Sequence, residues 1–267
     1  MANENPQRHP SGSGGPTIRW VEELGQAVTF LTRLPWPGPV SYDRPLMDAA
    51  WAFPVVGALV GALTAVAFGL AAGLSLPPLA VALFAVAAGT LVTGALHEDG
   101  FADVADGFGG GRNAEAKRHI MRDSRIGSYG VMGLILVVSL KVAALSAIPN
   151  GADAAAALVA SHALGRAVIP ALSHFLPFAA PDGLARLAGT AGRMGMLWAG
   201  GLGLALAIFV LPAGLGIYAV LSAGGAAAVI GLLARKQIGG ATGDVFGAAA
   251  LLAETAALLA ISAGLGV

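Results

Sequence analysis

The chain contains no cysteine, so no thiolate can compete as a metal ligand, and the redox compartment is left open. Charge is scarce: Asp, Glu, Lys and Arg make up 11% of its 267 residues, where soluble domains carry about 25%. The 15 basic and 15 acidic side chains cancel, and there is no long basic block, which argues against nucleic acid as a partner. The amino terminus also lacks the apolar core of a signal peptide. Residues 1–16, MANENPQRHPSGSGGP, are polar and rich in Gly, Pro and Ser, and read as a disordered tail.

Apolar sequence fills the chain instead, at 56% of residues, together with 39 glycines of the kind that let helices approach closely in lipid. Apolar runs fall at about 52–74, 78–96, 130–148, 153–172, 196–211, 213–233 and 246–265, several near the roughly 20 residues that cross a bilayer. The expected fold is all-α, a polytopic membrane bundle of about seven transmembrane helices, with residues 17–267 as one membrane-embedded domain. From Thr17 to Leu34, Ile18, Val21, Leu24, Val28, Leu31 and Leu34 recur every three or four residues. With Trp20 as an anchor, this predicts an amphipathic helix lying in the membrane interface ahead of the spans.

The basic residues are distributed unevenly. Arg8, Arg19, Arg33, Arg44, Arg112, Lys117, Arg118, Arg122, Arg125, Arg186, Arg193, Arg235 and Lys236 fall in alternate connections, while the loops near 75–78, 149–152 and 212 carry none. By the positive-inside rule the amino terminus, the segment 97–129 and the loops 173–195 and 234–245 face the cytoplasm, and the carboxyl terminus lies outside. The expected location is the bacterial cytoplasmic (inner) membrane. Membrane lipid is then an obligatory partner, and the oligomeric state is left open.

Leu96 to Gly130 holds the chemistry: LHEDGFADVADGFGGGRNAEAKRHIMRDSRIGSYG. If residues 97–107 are helical, Asp99, Asp103 and Asp106 share one face within about 60° of arc. Three stacked carboxylates repel one another, and a divalent cation would relieve that repulsion. Carboxylate oxygens suit Mg²⁺ or Mn²⁺, with Mg²⁺ usually held by one or two carboxylates plus substrate phosphates. The axial run from Asp99 to Asp106, about 10 Å, suits two ions bridged by a diphosphate. Gly107, Gly109, Gly110 and Gly111 then let the backbone approach a phosphate that Arg112 can reach. Asn113 can cap a helix over 114–122 with Glu115 in its first turn. The bland alternative is a solvated acidic face whose glycines merely end the helix.

Arg166, Lys141 and Glu254 place charge inside spans. Arg166, in SHALGR, could point at the acids as a substrate-binding residue or snorkel to headgroups; Lys141 suits a structural pairing or snorkelling; Glu254 is costly unless it faces the interior. His97 falls nearly opposite Asp99 and is not expected to bind metal, and His119, His162 and His174 show no ligand spacing. The last cytoplasmic loop, GGATGDVFGAAALLAE from Gly239 to Glu254, offers Thr242 as a cap and Asp244 at a helix start, either as an N-terminal device or as a second substrate loop.

Five separated motifs carry a family resemblance: FLTRLP at 30–35, FPVVGALVG at 53–61, HEDGFADVADG at 97–107, IMRDSRIGSYG at 120–130 and GGATGDVFGA at 239–248. In this order they resemble the cobalamin synthases, or adenosylcobinamide-GDP ribazoletransferases, from about Phe30 to the end. Glu98 departs from the apolar residue common there. The resemblance implies that phosphocobinamide passes from adenosylcobinamide-GDP to the ribose hydroxyl of α-ribazole or its 5′-phosphate, releasing GMP. It places the family's acidic motif on Asp99, Asp103 and Asp106 and its glycine-threonine loop on Thr242, Gly243 and Asp244. Arg112, Arg122 or Arg125 would compensate phosphate charge, and Asp106 or Asp123 is the candidate general base. DVADG at 103–107 also resembles part of the CDP-alcohol phosphatidyltransferase motif, without the Ala-Arg that follows it there. A cation carrier, a third class, would want its acids at the midplane of broken helices rather than beside glycine loops and arginines.

Overall fold

Proline and glycine set the boundaries of the helices. Pro16, Pro54 and Pro78 stand in first turns, where the missing N–H costs nothing, and Gly94 and Gly239 end helices in the left-handed region. The computed structural model describes residues 16–180 and 183–266. The polar tail expected over residues 1–16 therefore lies, but for Pro16, outside the described residues.

In chain order the helices are α1 (Pro16–Leu31), α2 (Phe53–Gly73), α3 (Pro78–Thr93), α4 (Leu96–Gly110), α5 (Ala114–Met121), α6 (Ser128–Ala147), α7 (Gly151–Phe175), α8 (Leu184–Ala188), α9 (Arg193–Val210), α10 (Leu215–Ile238) and α11 (Gly243–Gly264). A 3₁₀ segment, Leu46–Ala52, leads directly into α2. Among the described residues there is no strand, only one isolated parallel bridge between Phe178 and Ala241. The chain is an all-α membrane bundle: six helices are long and apolar enough to cross a bilayer, and α3 with α4 would make a seventh by length and composition.

The bundle is built around two helices. In α7 and α11, 72% and 78% of the apolar window is buried, against 33% or less in α2, α6, α9 and α10, so the latter form an outer layer. Their exposed faces are apolar: Leu70 is 68% and Phe209 88% exposed, as lipid contact requires. Gly57 and Gly61, four apart on α2, let its backbone rest on that of α7. A Cβ at Gly61 would lie 2.5 Å from the Leu158 carbonyl oxygen, and one at Gly57 would strike the His162 carbonyl.

Inside this packing lies a buried charge network. Glu254 of α11 pairs with Lys141 of α6 and Arg166 of α7, and His162 Nε2 stands 3.6 Å from its Oε1. His97 of α4 faces Arg166, Nδ1 to Nη2 at 3.4 Å. A guanidinium only donates, so Nδ1 accepts and the neutral imidazole carries its proton on Nε2. One carboxylate thereby ties α6, α7 and α11 together in the apolar interior, and Arg166 extends the network to α4. The pairing expected of Lys141 is present, and Glu254 faces the protein.

Candidate active site

The chain turns after α3 through two consecutive left-handed residues, Gly94 (φ 66°) and Ala95 (φ 60°), and α4 leaves at 91° to α3. With four acids in 15 residues, α4 is read as lying across the end of the bundle, so that of the bent pair only the apolar α3 enters the bilayer. On it Asp99 is exposed, Asp103 half-buried and Asp106 buried. Gly100 lets the first turn of α11 pack directly on α4, since a Cβ there would come within 3.0 Å of the Asp244 Cα. This contact brings Asp244, 141 positions after Asp103, into the acidic group. The Asp103 carboxyl is pushed up to about 7, first by burial and then by the negative charges of Asp244, Asp99 and Asp106. Such crowding is what a cation relieves.

The individual acids differ in their partners. Asp106 accepts hydrogen bonds from the backbone N–H groups of Gly127 (2.7 Å) and Gly130 (2.9 Å), so it satisfies orphan donors at the start of α6 from another helix. Glu98 turns toward α3, accepting from the Thr90 hydroxyl at 3.3 Å. Asp123 lies in the loop after α5, where the side chain and then the backbone N–H of Arg125 hold its carboxylate down at about 2. Among the described residues no three of His, Asp and Glu converge as a ready-made metal cage. The donor set does fit the substrate-borne mode of Mg²⁺, in which one or two carboxylates, here from Asp99, Asp103 and Asp244, complete a shell begun by phosphates.

Thr242 is the residue that caps α11, its hydroxyl accepting from the Val245 N–H at 3.3 Å. Asp244 is thus not needed as the cap, and its Oδ2 accepts from the Thr242 hydroxyl at 3.3 Å. Asn113 caps α5, accepting from the Ala116 N–H at 2.9 Å. The loops before and after these helices converge. Ala179 N–H donates to the Ala241 carbonyl (2.9 Å) and Ala241 N–H to the Pro177 carbonyl (2.8 Å), while Arg118 donates to the Ile238 carbonyl (3.1 Å).

A cavity of 220 Å³ lies between them, with Arg118, Arg122, Arg186, Phe178, Thr242 and Asp244 in its wall. It continues outward into a 570 Å³ groove that shares Arg118, Arg122 and Ala180. Three guanidiniums share this wall with Asp244, which in turn stands against the acids of α4, so a polyanion and a cation can be bound side by side. A second cavity, of 180 Å³, shares Leu184, Ala185, Gly243 and Asp244 with the first but is otherwise walled mainly by apolar side chains.

The structure brings together Asp99, Asp103, Asp106, Thr242, Gly243, Asp244 and Arg122. Arg112 is exposed beyond the end of α4, Arg125 is paired with Asp123, and Arg166 is turned to Glu254 in the bundle interior rather than to the acids. Sequence reasoning missed Arg118, Arg186 and Phe178 as site residues. Their only signal was that all three stand in connections assigned to the basic side.

A family model described as cobalamin-5-phosphate synthase matches residues 23–262. The chain belongs to this family. Named relatives agree with it along nearly their whole length. An adenosylcobinamide-GDP ribazoletransferase of Bradyrhizobium diazoefficiens is 42% identical over 94% of this chain and 97% of the relative. One of Mesorhizobium japonicum is 42% identical over 92% and 94%, and one of Brucella ovis 41% over 94% and 97%. No solved structure matches the chain. The family membership expected from the five motifs therefore holds for the whole bundle, and α4, α5 and the start of α11 are this family member's acidic and basic surfaces.

Proposed function

We propose that this membrane enzyme transfers the phosphocobinamide group of adenosylcobinamide-GDP to a ribose hydroxyl of α-ribazole or its 5′-phosphate. The products are GMP and adenosylcobalamin or its phosphate. The observation that carries the reading is the junction at Asp244, where carboxylates of α4 meet a cavity walled by Arg118, Arg122 and Arg186 in a chain of this family. The CDP-alcohol phosphatidyltransferase alternative is not favoured, since both the family and the named relatives point elsewhere.

In the transfer the hydroxyl oxygen attacks the phosphorus borne by cobinamide, and the P–O bond to GMP breaks with its electrons leaving on GMP. Arg118, Arg122 and Arg186 compensate the charge that grows on the departing nucleotide. The hydroxyl proton passes to a carboxylate. Asp106 and Asp123 were the candidates from sequence; Asp123, held near 2 by Arg125, is a weak base at neutral pH. Bound Mg²⁺ or Mn²⁺, held by one or two of Asp99, Asp103 and Asp244 with Asp106 behind them, would neutralise the diphosphate. The site faces the cytoplasm of the inner membrane, the side to which the lysines and arginines assign it.

The test is direct: purified protein in lipid with adenosylcobinamide-GDP, α-ribazole and Mg²⁺ releases GMP in step with cobalamin. GMP release without α-ribazole, or none at all, would refute the proposal, and so would equal turnover in EDTA for its metal-dependent part.

A further inference from the structure

Asp244, with Leu184, Ala185 and Gly243, lines two cavities that differ in charge. On one side are the arginines; on the other, the 180 Å³ cavity is walled by side chains such as Leu46, Met47, Phe53, Ile169 and Phe246, with His97, Asp99 and Asp244 the polar residues in its lining. The attacking and leaving oxygens of a phosphoryl transfer lie roughly in line across phosphorus. If the anionic nucleotide departs among the arginines, the acceptor approaches from the far side of the acids, where the apolar cavity is.

Size and polarity identify what fits. A corrin ring is far too large, and guanine would leave its ring N–H and carbonyl groups unpaired against apolar walls. An engineered apolar cavity of about 150 Å³ takes up benzene, and this one is somewhat larger. We propose that the apolar cavity is the acceptor's base subsite, which holds the aromatic base of the ribazole nucleoside and so presents its ribose to Asp99 and Asp244. This rests on the transferase reading above and adds to it which surface selects the nucleophile.

Ala188, at the end of α8, lines the apolar cavity and is absent from the arginine-lined wall, so Ala188→Phe fills one without touching the other. The expected result is a KM for α-ribazole raised tenfold or more, with the KM for adenosylcobinamide-GDP within twofold of wild type. Met47→Ala, which enlarges the cavity, should improve the relative kcat/KM of an α-riboside with a bulkier fused-ring base at least fivefold over α-ribazole. It serves as the second readout if Ala188→Phe does not fold. A rise in donor KM instead, or no change in acceptor selectivity in either folded variant, overturns the subsite. A change only in dependence on lipid chain length would show a lipid tail in the cavity and likewise overturn it. Absence of GMP release by the wild-type protein would instead bring down the transferase reading itself.

Discussion

Asp103 and Asp106 are one helical turn apart yet are held in different ways, and substitution should separate them. Asp106 gives one oxygen to each of two backbone N–H groups, so in Asp106→Asn one amide N–H faces another donor. A loss of about 1–3 kcal/mol of stability is expected for an unsatisfied buried group, measured as a fall in thermal midpoint in detergent. Asp103 accepts from no such backbone pair and is crowded by like charges. Asp103→Asn should leave the midpoint unchanged or raise it, while GMP release falls a hundredfold or more. A normal rate in that variant would remove Asp103 from the site.

The Asp103 carboxyl also sets a pH dependence. Its folded pKa, about 7, lies above the ordinary 3.8, so its contribution to stability is present below about pH 4 and is lost as pH rises through about 7. In EDTA the thermal midpoint should fall between pH 5 and pH 8. Millimolar Mg²⁺ should flatten that slope by binding the ionised form, and an identical slope with and without Mg²⁺ would contradict a cation at these carboxylates.

At the scale of elements, the spans were legible because lipid leaves the sequence little choice: each expected apolar run became a helix within a few residues of its expected ends. The helix over α4 and the Asn113 cap of α5 were legible for a similar reason, since spacing and capping are local. Partners brought together by packing were not. Glu254 meets Lys141 and Arg166 across 113 and 88 positions, and Asp106 meets its donors across 21 and 24. The pattern leaves Arg166 to point at the acids of α4 because they share its cytoplasmic end, whereas Glu254 of α11 reaches it first. Glu254→Gln should leave Lys141 and Arg166 buried without a counter-charge. A loss of about 3–5 kcal/mol is expected for a broken buried pair, visible as failure to reach the membrane or as a midpoint lowered at neutral pH. A wild-type midpoint would mean that the network is dispensable.

For the whole molecule, the absence of native cysteine makes orientation easy to read. Ser124 and Gly151 are exposed at the two ends of the α6 hairpin, ahead of α6 and at the start of α7. Single cysteines placed there should react with an impermeant maleimide from opposite faces of sealed vesicles, Ser124→Cys from the cytoplasmic face. Reaction of both from one face would overturn the topology.

The bridge between Phe178 and Ala241 has a consequence for how the arginine-walled cavity opens. The Ala179 and Ala241 amides each donate across the same isolated bridge, which joins the chain after α7 to the chain before α11. Neither segment can swing away without releasing both, so in hydrogen–deuterium exchange the two amides should be exposed in the same opening event, at matched rates. A nucleotide seated between Phe178 and Thr242 should slow both together. Exchange of Ala179 alone would mean that the wall formed by residues 177–180 moves independently of the loop that carries Asp244.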